Sequence, residues 1–279
     1  MKSNRIVRII AGIFVLILFG AYSYMRISVS PHSSDIDAKA KPSAPVETSA
    51  PAELEVTPEP TPEPTPEPTL DPNSPEGRAA ALGLPAPPDI DITSWEFVLV
   101  NADNPLSSDF RPPEIVEVSD SKCPVDSRIA EPLMAMADDT KAQGLQVYLS
   151  SGYRSYNEQA QNFQRVCQNN GVADGKDAKG FYITMPAGCS EHQSGLCCDI
   201  TDIYYQIKNS SIENTETFKY MSANCEKFGF ILRFPKGKED ITGVMYEPFH
   251  YRYVGVEAAT YIKETGLCFE EFIALYTGE

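Results

Sequence analysis

The chain has 279 residues, 42% of them apolar, with 23 prolines and a formal net charge of −16. That balance leaves no basic surface to meet phosphates, which excludes nucleic acid as a partner. Collagen, coiled coil and multi-span membrane classes fail on composition too, leaving an acidic chain with enough apolar content for a sizeable core.

Lys2, Arg5 and Arg8 precede an apolar run from Ile9 to Tyr24, and Arg26 follows it. A basic start ahead of an apolar stretch is a secretory signal or a signal anchor. The run is just short of the ~17–25 residues of a spanning helix. No small-x-small cleavage site follows, and the charge excess ahead of the run keeps the N-terminus inside. Residues 1–29 are therefore expected to be a retained, single-pass membrane anchor with the rest of the chain extracellular; cleavage would make it secreted.

Most of the prolines fall between Pro31 and Pro113, with a TPEP repeat from Thr57 to Pro68. The stretch 30–90 holds 11 acidic and 3 basic residues and little that could offset its ordering entropy. It reads as a disordered stalk, a semi-rigid spacer biased to polyproline II. Residues 91–279 are then one folded domain.

Within that domain, Asp126 is a candidate N-cap for a helix carrying Ile129, Leu133, Met134 and Ala137, stopped by Gly144. Leu145, Val147 and Leu149 alternate with polar neighbours as a half-buried strand. Ser155 and Glu158 have capping-box spacing, with Ala160, Phe163 and Cys167 on one face of the helix that follows. Val172 to Pro186 reads as a loop and Leu196 to Tyr204 as a strand. A helix is expected over Asn214 to Phe228, a strand over Phe230 to Phe234, and a strand from Met245 to Val254 interrupted by Pro248. Helices near Val256–Glu264 and Cys268–Tyr276 close the chain. This mixture without βαβ alternation predicts α+β, with an antiparallel or mixed sheet flanked by helices.

Seven cysteines in an extracellular chain raise the disulfide question, and the odd number leaves at least one unpaired. Adjacent Cys197 and Cys198 would point to opposite faces of a strand. The absence of CxxC spacing argues against a zinc knuckle.

The domain has two histidines, each with a carboxylate at short spacing. His192 is followed by Asp199 across a Ser-Gly break, and His250 is preceded by Glu247. A hydrolytic zinc site needs three protein ligands, an open position, and a carboxylate free to take a proton from water. His192, Asp199 and His250 can supply the ligands and Glu247 the base. Salt-bridged structural roles and a cysteine nucleophile served by His192 stay open on spacing alone. Arg154, between a strand and a capped helix, can pair with a surface acid or hold a carboxylate by its planar fork.

SGYRS, SEHQSGL-x-x-D and EPFHYRYVG, in that order, together with GFILRFPKGKEDITG, resemble the VanY-type D-alanyl-D-alanine carboxypeptidases over roughly Pro124 to Gly255. The resemblance implies an α+β fold whose antiparallel sheet carries one Zn2+ per chain, held by His192, Asp199 and His250, with Glu247 as catalytic base. It implies that Arg154 steadies the scissile carbonyl, that Ser190 contacts substrate and that Gln159 lines the same pocket. The implied substrate is the peptidoglycan stem peptide, trimmed of its terminal D-Ala. Removal of D-Ala from tetrapeptide stems by an L,D-carboxypeptidase, or a non-catalytic wall-binding module, are the alternatives. Phe249 stands where the family has tryptophan, and Cys197-Cys198 where it has small or aliphatic residues.

Overall fold

The computed structural model describes residues 70–204 and 207–278. The expected anchor and most of the expected stalk lie outside these. Among the described residues no helix is long and apolar enough to cross a membrane.

The domain starts before residue 91. Helix α1 (Pro75–Ala81) is capped by Ser74, whose side chain accepts from the Gly77 amide, and Pro75 sits in its first turn, where no amide partner is needed. Ala79 is buried, and Leu84 and Ile90 pack on the C-terminal helices. The Tyr261 hydroxyl donates to Pro85 O at 2.8 Å and that of Tyr276 to Pro88 O at 2.7 Å. The stalk boundary expected at 90 is thus corrected to about residue 70. Alanine and leucine interleaved with proline look like spacer, but here Ala79 is buried and Leu84 half-buried.

A hairpin the sequence reading missed, β1 (Ile115–Val118) and β2 (Cys123–Asp126), leads into α2 (Ser127–Ala142). Asp126 caps α2 as expected, accepting from the Arg128 amide at 2.9 Å. Ile129, Leu133, Met136 and Ala137 face inward, and the expected Met134 packs half-buried against the same core. The next strand, β3 (Tyr148–Ser151), starts later than its alternation predicted. The Ser155–Glu158 capping box opens α3 (Tyr156–Asn170), as its spacing required.

The main sheet joins β3, β4 (Cys197–Thr201), β5 (Phe230–Leu232) and β6 (His250–Tyr253) in the order β3-β4-β6-β5, all antiparallel. Between β4 and β5 lie α4 (Glu216–Asn224), capped by Thr215, and a 3-10 turn at Cys225–Phe228. The short α5 (Glu239–Thr242) precedes β6. The strand expected from Met245 shrinks to β6, because the segment through Pro248 forms a turn closed by His250 N to Glu247 O at 3.3 Å. Helices α6 (Val256–Thr265) and α7 (Phe269–Thr277) close the fold.

The two faces of the sheet differ in chemistry. Cys198, Ile200, Tyr251 and Phe230 meet Ile129, Leu133 and Met136 of α2 in one apolar cluster. Each such aliphatic side chain contributes about 1.5–3 kcal/mol on full burial. The alternate positions, Cys197, Asp199, His250 and Arg252, point the other way and are also buried. All seven cysteines are free thiols; Cys123 Sγ and Cys198 Sγ lie 3.7 Å apart in the core.

Candidate active site

Asp199 and His250 are direct cross-strand partners on β4 and β6. His192 comes from a 3-10 turn, Glu191–Ser194, which ends on Gly195 in the left-handed conformation, φ 71°. The turn is pinned from the β3–α3 connection, where the Arg154 amide donates to His192 O at 2.9 Å. Gly152 lets this connection lie close against β2, since a Cβ there would lie 2.0 Å from Pro124 O.

The ring partners set the histidine tautomers. His192 Nδ1 lies 2.6 Å from Gly152 O, and a carbonyl only accepts, so the proton sits on Nδ1 and Nε2 keeps its lone pair. His250 Nε2 lies 3.4 Å from Glu191 Oε2 and donates to it, leaving Nδ1 free. Both free nitrogens converge on one carboxylate oxygen: Asp199 Oδ1 is 2.9 Å from His250 Nδ1 and 3.4 Å from His192 Nε2. Lone pairs so close repel unless a proton or cation stands between them. Two imidazoles and a carboxylate facing one point fit a hydrolytic zinc ion. Cys197 adds a sulfur donor, grouping with the two histidines within 4.8 Å. Burial disfavours its thiolate, but the two imidazoles pull the thiol down to about 7.

Glu247 stands one turn before β6, with Oε2 3.9 Å from His250 Nδ1. Burial pushes its carboxyl up to about 7, close to the ideal for a proton acceptor at neutral pH. The Arg154 guanidinium donates to Ser151 Oγ at 3.1 Å and to Gln159 Oε1, while Gln159 Nε2 donates to Met185 O. Gln159 is thus a buried brace for the arginine. A cleft of about 520 Å³ is lined by all seven residues singled out from the sequence: Arg154, Gln159, Ser190, His192, Asp199, Glu247 and His250.

Five charged residues escaped the sequence reading. Lys208 enters the cleft and pairs with Asp199 Oδ2 at 2.7 Å. Glu191, fully buried, is met by Arg233 Nε at 2.7 Å and Arg252 Nη1 at 2.8 Å. Burial would raise the Glu191 carboxyl; the two guanidinium groups hold it well below the usual carboxylate range. The fork of Arg233 also grips both oxygens of Glu270, at 2.6 and 2.8 Å. The signal was present: an arginine inside FILRF and another inside FHYRY, strands that are otherwise aromatic and apolar, each demand a buried acid.

The family model of VanY: D-alanyl-D-alanine carboxypeptidase matches residues 122–256. A D-alanyl-D-alanine carboxypeptidase of Enterococcus faecalis is 36% identical over 195 residues, covering 66% of this chain and 67% of that protein. The solved structure of the LdcB LD-carboxypeptidase superposes with a TM-score of 0.58 at 33% identity, covering 66% of this chain and 89% of that one. A mutant of the vancomycin resistance D,D-pentapeptidase VanY, in complex with Zn(II), superposes at 0.54 and 33% identity, covering 64% and 99%.

Proposed function

The chain belongs to the VanY family of D-alanyl-D-alanine carboxypeptidases, and from that premise we propose that it is a zinc carboxypeptidase removing the C-terminal D-Ala from peptidoglycan stem peptides. The observation that carries this is the convergence of His192 Nε2 and His250 Nδ1 on Asp199 Oδ1, with Glu247 beside them in a cleft. His192, Asp199 and His250 would hold the metal. Bound zinc supplies a Lewis acid that polarises the scissile carbonyl and makes water a better nucleophile.

The chain's own residues do the rest. Glu247 takes a proton from the attacking water and passes it to the leaving amine of D-Ala. Its buried carboxyl, raised to about 7, suits both transfers. Arg154, braced by Gln159 and Ser151, offers a preorganised cation to the oxygen on which negative charge develops. Ser190 lines the same cleft and contacts the substrate there. Arg154 and Arg165 line this cleft, offering cations to a substrate that ends in a carboxylate. The N-terminal segment tethers the domain outside the membrane, where stem peptides are found. Protease added to intact cells should then release an active domain starting near residue 70; recovery of the chain from the cytoplasm would refute the placement.

The test of function is mass spectrometry of muropeptides incubated with the purified full chain. Loss of one D-Ala from pentapeptide stems is expected, abolished by a chelator and restored by zinc. Cleavage of tetrapeptide stems alone would establish the L,D reaction. Peptide binding by the metal-loaded protein without cleavage would establish a wall-binding module.

A further inference from the structure

Side chains two apart on a strand share a face. On β4 this pairs Cys197 with Asp199, while Cys198 turns into the apolar core beside Cys123. Ligand atoms of His192, Cys197 and His250 lie within 4.8 Å of one another, so the thiol stands beside both imidazoles. Cys197 is 0% exposed and does not line the cleft, whereas His192, Asp199 and His250 do. The sulfur therefore approaches from the sheet side and leaves the cleft side to water and substrate. Its partner across the ladder is Arg252, which is committed to Glu191 and to the carbonyls of Glu96 and Val98.

Building on the zinc reading above, we propose that Cys197 is a fourth protein donor to the metal, completing a set of two imidazoles, one carboxylate and one thiolate. As the metal–sulfur bond forms, the thiol proton passes to solvent, with no change of oxidation state. With four protein donors the tetrahedral positions are filled, so hydrolysis then requires zinc to take water as a fifth ligand. A thiolate makes the site softer, tilting it toward zinc and away from magnesium or calcium.

Cobalt(II) replaces zinc in such sites and reports its ligands by colour. The metal-stripped full chain, reloaded with cobalt, should show a sulfur-to-cobalt charge-transfer band in the near ultraviolet, besides the weaker visible bands of the ion itself. Cys197→Ser, nearly isosteric, should lose the ultraviolet band and keep the visible ones. Cys198→Ala, altered on the opposite face, should keep both. Zinc affinity of Cys197→Ser should fall by at least the ~10–100-fold that losing an outer hydrogen-bonding partner costs. Cobalt binding by the wild type without a sulfur band would overturn the proposal and leave the zinc reading standing. A wild type that takes up neither cobalt nor zinc would overturn both.

Discussion

His250 stands between two buried groups of charge that are balanced in different ways. On its Nε2 side, Glu191 and Glu270 meet Arg233 and Arg252, with each acid gripped by guanidinium nitrogens at 2.6–2.8 Å. On its Nδ1 side, Asp199 faces two imidazole nitrogens and a lysine, and Glu247 has burial but no cation of its own. The first group is saturated and needs nothing from outside. The second leaves two imidazole nitrogens and a carboxylate oxygen facing one point. A saturated cluster fixes where a ring sits; an unsaturated one leaves that ring something to do.

Glu247→Gln should have the largest effect and confine it to the open side. It keeps the shape and removes the proton acceptor, so turnover should drop by ~10²–10⁴. Metal content and melting temperature should stay at wild-type values. Turnover at the wild-type rate would remove Glu247 as the base.

Arg233→Met breaks the closed side. A buried pair stripped of one partner typically costs about 3–5 kcal/mol, and Arg233 has no exposed side-chain surface to soften that. Chemical denaturation should show this loss, while the Km of the folded fraction stays close to wild type. A cost below about 1 kcal/mol, the range of exposed pairs, would mean the cluster is solvated.

Glu191→Gln tests the link between the two, because Glu191 both accepts from His250 Nε2 and neutralises the arginines. Metal affinity should weaken by about 10–100-fold, as for other partners that orient a ligating histidine. Unchanged affinity would make the clusters independent. Tyr261→Phe is the small-effect control remote from both. It deletes one hydrogen bond to Pro85 O and should cost about 0.5–1.5 kcal/mol without touching activity.

Local chemistry made much of the domain legible in the sequence. The capping box at Ser155 and the Asp126 cap are short-range signals, and the structure keeps both. The spacing of His192, Asp199, Glu247 and His250 foretold a cleft because metal sites need donors of few types in few arrangements. The stalk boundary was misplaced at 90, since whether Ala79 or Ile90 is buried depends on helices near the C-terminus, about 180 residues away in sequence. Only the tertiary structure decided that the rings of His192 and His250 converge on the face of β4 that carries Cys197 and Asp199. It also decided that Glu191 serves two arginines, one just past β5 and one on β6, and that Lys208 reaches Asp199. Each of these rests on the pairing of segments distant in sequence, and a pattern read along one chain carries no record of the register in which those segments meet.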